Sequence, residues 1–198
     1  MTLALAVTPP VQTVVRPELT AARGLSQWDV EGSGAWRMAD GFLELHAAGV
    51  PAGPIRKPAA IAILKSAAVG DFTLEVDLRS TAPADLDVRD VLLIFGYQSA
   101  TRFYYVHLSK RTDAVHNGIF LVNDADRKRL DPPTSTGRLV DQDWHRVRLV
   151  RAGADVRVFF DADASPALST SDATLATGRV GVGSFDETAE FKEMVLRY

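Results

Sequence analysis

Apolar and polar residues alternate along much of this chain, most clearly from Phe72 to Arg79. Phe72, Leu74, Val76 and Leu78 fall on one side and Thr73, Glu75, Asp77 and Arg79 on the other. That is the period of a strand with one buried face. Val91 to Gln98 is apolar at nearly every position, which predicts a central strand covered on both faces. Phe103 to Ser109 and Gly118 to Asn123 follow. Val147 and Leu149 predict one strand and Val156, Val158 and Phe160 the next, with Ala152-Gly153-Ala154 as the hairpin turn between them. Arg179 to Phe185 and Glu190 to Arg197 complete the series. Before residue 70 the strand patterns are shorter: around Trp28, Trp36 to Met38, Phe42 to His46 and Ile61 to Lys65. Asp40-Gly41 marks a tight turn, and Gly49 to Pro58 a loop. No amphipathic helix of ten residues appears; Ser171 to Ala176 suits one helical turn. Many short strands punctuated by turns predict an all-β sandwich or jelly roll.

The chain has 198 residues, 46% of them hydrophobic, enough for one sizeable core. Without an internal repeat or a linker-like shift in composition, residues 20–198 are expected to form a single domain. Residues 1–19 are expected to be a leader or edge segment. The apolar start has no basic n-region, and a secreted or periplasmic chain whose signal has been removed is one reading it allows. No apolar run reaches the roughly 18 residues of a membrane span. The net charge of −3 and scattered arginines give no basic patch for nucleic acid. Absence of cysteine excludes disulfides, thiolate nucleophiles and thiolate metal ligands.

The chemistry-bearing residues concentrate between Arg102 and Asp131. Tyr105, His107 and Ser109 share one face of a strand, with Val106 and Leu108 opposite. An aromatic ring beside hydrogen-bonding groups suits a sugar, which presents C–H patches and hydroxyls. His107 could equally serve as a general base, or bond only to its neighbours. His116-Asn117 and Asn123-Asp124 bracket the next strand; Asn and Asp there read as turn residues, with His116 open. The four histidines show no metal-binding spacing. Gly181-Val182-Gly183 lacks the context of a phosphate loop, so its glycines are expected to serve close packing. There is no G-x-S-x-G elbow.

The order of these motifs carries a likeness. Trp36 and Asp40-Gly41 come first, then Gly70-Asp71-Phe72-Thr73-Leu74-Glu75 and Phe103-Tyr104-Tyr105-Val106. Asp143-Trp144-His145-Arg146-Val147-Arg148 follows, then Gly178 to Asp186 and Ala189-Glu190-Phe191. From about Trp28 onward the chain resembles the concanavalin A-like lectin/glucanase superfamily, within it bacterial laminin-G-like and 3-keto-disaccharide hydrolase-like domains. The resemblance implies a jelly-roll sandwich of two curved antiparallel sheets, with carbohydrate on the concave face. A binding domain would use Gln98, Tyr105, His107, His116 and Asn123. The alternative is a glycoside hydrolase with Glu75, Asp77 and His107 as acid/base candidates. Family 16 glycoside hydrolases carry three acids at alternate positions of the catalytic strand; here the third position is Arg79. The stronger expectation is that Glu75 and Asp77 pair with Arg146 and Arg148 on a neighbouring strand. No cofactor is expected; calcium, common in the superfamily, would draw on Asp186 and Glu187 together with N-terminal loop carbonyls, without EF-hand-like spacing.

Overall fold

The computed structural model describes residues 12–198; the first eleven residues of the expected leader lie outside them. The described chain forms two antiparallel sheets. In chain order the strands are β1 (Val14–Val15), β2 (Trp28–Gly32), β3 (Ala35–Ala39), β4 (Phe42–Ala47), β5 (Ala60–Leu64), β6 (Phe72–Ser80), β7 (Asp90–Ser99) and β8 (Arg102–Ser109). They continue with β9 (Gly118–Asn123), β10 (Lys128–Arg129), β11 (His145–Ala152), β12 (Asp155–Phe160), β13 (Leu168–Ser171), β14 (Arg179–Ser184) and β15 (Ala189–Arg197). The first sheet runs β13-β12-β11-β6-β15-β4-β3, with β1 also on β15; the second runs β10-β9-β8-β7-β14-β5-β2. The described part of the expected leader is thus tied in, Val14 and Val15 pairing with Arg197 and Leu196.

The alternation in β6 sets the layering. Leu74, Val76 and Leu78 are fully buried and meet Val91, Leu93, Val106 and Leu108 of the second sheet in the main core. Glu75, Asp77 and Arg79 therefore project outward from the first sheet. The second sheet is apolar on its other face too. Ile61, Ile63, Leu92, Ile94, Phe103, Tyr105 and Phe120 form a second cluster there, with Ile55 packed against it. This double burial is why β7 reads as an unbroken apolar run.

Gly153 takes a positive φ of 60° in the tight β11–β12 turn, where Ala152 pairs with Asp155. A Cβ on Gly181 would stand 2.4 Å from the Ala62 carbonyl oxygen, so β14 can lie on β5 only with glycine at that point. The helical turn expected over Ser171 to Ala176 does not form. Ser171 ends β13, and the Asp172 carboxylate instead accepts the Tyr104 hydroxyl and the Thr174 N–H, an Asx turn.

Candidate functional site

Strand β8 carries Tyr105 and His107 on the outer face of the second sheet. Tyr105 is paired with Ile94 and Phe120, and His107 with Leu92 and Gly118. Neither is open to solvent: Tyr105 is 0% and His107 1% exposed. Two loops roof the face. The Arg56 N–H donates to Asp126 Oδ1 at 2.7 Å, and the Arg127 N–H to the Arg56 carbonyl at 3.1 Å, stitching the Gly/Pro loop to the β9–β10 turn. The Arg127 guanidinium lies 4.2 Å from the Phe185 ring centre and that of Arg56 4.7 Å from the same ring, a cation–π arrangement. Arg127 also donates to the Tyr105 hydroxyl at 3.4 Å. Burial pushes the Tyr105 phenol well above its usual range, against the opposing pull of Arg127 and Arg56, so Tyr105 stays neutral.

Beneath Phe185 the polar groups are specific. The His107 ring stacks on Phe185. Its Nδ1 lies 3.1 Å from the Val115 carbonyl oxygen; a carbonyl only accepts, so Nδ1 carries the proton. Its Nε2 has no hydrogen-bond partner and stands 3.6 Å from Asp90 Oδ2. Asp90 is 1% exposed and accepts from Ser184 Oγ at 2.8 Å and the Phe185 N–H at 2.9 Å. Asp90 thereby fixes the ring on which both arginines rest.

His116 comes to the same end on the β8–β9 connection, its ring 5.5 Å from His107. Its Nδ1 donates to the Asp113 carboxylate at 2.9 Å. Burial raises Asp113, but the Val115 N–H, the His116 ring and the His116 N–H outweigh it and hold the group at about 2. Arg129 organises this loop: it donates to the carbonyls of Asp113, His116, Asn117 and Asp131 and to the Asp131 carboxylate. Asp186, exposed just beyond β14, has its carboxyl raised by partial burial and by Asp90, and Glu187 is raised likewise. A recess of about 190 Å³ opens beside Arg56, lined by Pro51, Gly53, Ile55 and Asp126 among others.

The other expected site residues lie apart. Gln98 is six residues along β7 from Leu92, the partner of His107, roughly 20 Å at about 3.3 Å per residue. It donates to the Thr177 carbonyl. Asn123 is exposed at that same far end, in register with Arg102. Glu75 and Asp77 face outward from the first sheet, whereas His107 faces outward from the second, so the three acid/base candidates do not share a face. Asp77 is bound by Arg146 and Glu75 by Arg197 of β15. The expected Arg148 partner instead lies over Phe159, 4.0 Å from the ring centre. Among the described residues no three His, Cys, Asp or Glu side chains are grouped to hold a metal ion; Asp186 and Glu187 gain no third such ligand.

Sequence reasoning missed Asp90, Arg56, Arg127, Arg129 and Phe185. Asp90 opening a run of apolar residues was the one available signal. The roof could not be foreseen because it joins segments about 70 residues apart.

No protein-family model and no curated protein matches the chain. Solved structures do. The carbohydrate binding module CBM66 from Bacillus subtilis is 15% identical and superposes with a TM-score of 0.62, over 87% of this chain and 96% of that one. The fold is a concanavalin A-like jelly roll. The exoplasmic/lumenal domain of VIP36, in a form bound to Ca2+ and Man3GlcNAc, is 12% identical with a TM-score of 0.56, over 91% and 86%. The GH43 protein BlXynB from Bacillus licheniformis is 12% identical with a TM-score of 0.57, over 86% of this chain but 36% of that one. Identities this low speak to fold, which hosts many functions.

Proposed function

We propose that this jelly roll is a carbohydrate-binding domain and that the glycan docks at the His107 end of the second sheet, against Arg56, Arg127, His116 and Asp186. The observation that carries the reading is the state of the acids. Glu75 and Asp77, the acids expected of a hydrolase, are each paired with an arginine on the far face. Glycoside hydrolysis needs two carboxyls flanking the scissile bond. At the other rim, exposed Arg56 and Asp186 and half-buried Arg127 and His116 surround a buried aromatic base, the composition of a site that binds hydroxyls in place. Tyr105 and His107 then act from below, holding Arg127 and Phe185, while Gln98 and Asn123 would meet only a ligand long enough to cross the sheet. Carbohydrate-bound and carbohydrate-binding structural neighbours support the ligand class.

One observation favours a hydrolase as the second reading. Asp186 and Glu187 both have raised carboxyls, the direction a general acid requires. Calorimetry across polysaccharides, repeated with chelator for a calcium-dependent mode, tests binding; failure to bind any sugar class ends that reading. Turnover of ordinary and 3-keto glycosides by the parent, lost in Asp186→Asn, would instead establish the hydrolase.

A further inference from the structure

We infer that Arg56 and Arg127 form an oxyanion-recognition pair, so that the glycan bound at this rim carries acidic groups. The inference rests on the carbohydrate reading above and names the class of sugar.

Most arginines of this chain are matched to a carboxylate, Arg79, Arg129, Arg146 and Arg197 among them. Arg56 and Arg127 are not: among the described residues neither guanidinium is in an ion pair, yet the two converge on one ring, Phe185. Their spacing is fixed, because the Arg127 N–H is bonded to the Arg56 carbonyl and Asp126 holds the Arg56 N–H. Two like charges brought together with neither in an ion pair repel, an arrangement that an incoming anion relieves. The ring contact occupies a guanidinium's flat face and leaves its N–H edge free, and that edge matches a carboxylate or sulfate in a two-point fork. Arg127 commits one N–H to Tyr105; Arg56 is exposed beside an open recess.

The acids facing the pair leave its N–H edges open. Asp126 spends Oδ1 on the Arg56 backbone N–H and is in no ion pair with either guanidinium. Asp90 is buried and occupied by Ser184 and the Phe185 N–H. Asp186 makes no ion pair with either arginine, and burial and Asp90 raise its carboxyl over the opposing pull of Arg56, His107 and His116, which weakens it as a competitor. His107 and His116 lie on the same side and add no negative charge.

The decisive comparison uses the whole chain with polygalacturonate and its fully methyl-esterified form, which differ only in the free carboxylate. Dextran sulfate forms the sulfate arm, and dextran and levan the neutral arm. Polygalacturonate or dextran sulfate should bind at least about tenfold more tightly than the uncharged polymers, the scale of one charge-assisted contact. The affinity should fall as salt rises. Arg56→Gln and Arg127→Gln should each cost on the order of tenfold, while Arg148→Gln on the far face should cost nothing. Arg56 is exposed, so its variant keeps the test open if Arg127→Gln misfolds. Equal affinity for esterified and free polymer, or binding of neutral glycans alone, overturns the inference and leaves the carbohydrate reading standing. No binding in any arm overturns both.

Discussion

His107 and Asp90 face each other across neighbouring strands of the second sheet, Nε2 3.6 Å from Oδ2, each residue 1% exposed. The proton on His107 Nδ1 is committed to the Val115 carbonyl, so in the neutral ring Nε2 is a bare acceptor opposite a carboxylate. Asp90→Asn should repair this. The amide oxygen can keep Ser184 and the Phe185 N–H, and the amide nitrogen can donate to Nε2. Its stability should lie within about 1 kcal/mol of the parent, whereas Asp90→Ala strands two buried donors and should lose about 2–4 kcal/mol. Urea unfolding of the two variants checks this; equal losses would mean that the introduced amide makes no bond to Nε2.

Glu75→Gln and Asp77→Asn should leave glycan binding unchanged. Each carboxylate is partly exposed and held by one arginine on the outer face of the first sheet, so each substitution should cost only about 0.2–1 kcal/mol of stability. A fall in glycan affinity in either variant would move the site to that face.

The fold was legible wherever one residue's environment is set by its own strand. Phe72 to Arg79 alternates between the core and the outer face at every position, and Val91 to Tyr97 is buried on both, with Gln98 emerging at the strand end. Strand β13, Leu168 to Ser171, was not legible, because three polar residues carry no alternation and only its pairing with β12 makes it a strand. The candidate site was half legible for the same reason. Tyr105 and His107 were correctly placed on one face, but an alternating pattern cannot say whether that face meets solvent or a roof. The roof is made by Arg56 and Arg127, drawn together by bonds between distant loops. Likewise the partner of Glu75 proved to be Arg197, because β15 borders β6 on the side opposite β11.

Arg129→Lys should loosen the loop that presents His116. The guanidinium binds four carbonyls and the Asp131 carboxylate at once, a geometry a single ammonium cannot reproduce. Several partly buried carbonyls lose their donor, so the variant should be less stable by about 1–3 kcal/mol. Hydrogen exchange should rise first across residues 111–117. Unchanged protection there would show that Asn117, which binds Thr112, Ser135 and the Thr136 carbonyl, holds the loop unaided.

His145 should make stability fall as the solution turns alkaline. Its Nδ1 donates to Asp161 and its Nε2 to Asp141, each at 2.9 Å, so the ring is held as the imidazolium. Burial opposes the charge, but the two carboxylates outweigh it and the His145 value is raised. A raised folded value adds stability that is fully present below the unfolded value of about 6.5 and is lost as pH rises through the folded value. Asp141, lowered chiefly by its bond to His145, contributes stability that is fully present above the unfolded carboxylate value near 4 and is lost only as pH falls below it. Between pH 6 and pH 8.5 that contribution is constant, and the change comes from His145. Over that range the parent should lose more stability than His145→Asn, whose side chain does not titrate. Both carboxylates are substantially exposed, so solvent screening keeps the difference small. Urea midpoints of parent and variant at the two pH values measure it; parallel changes would show that the imidazolium does not hold the turn at residues 141–145 against β12.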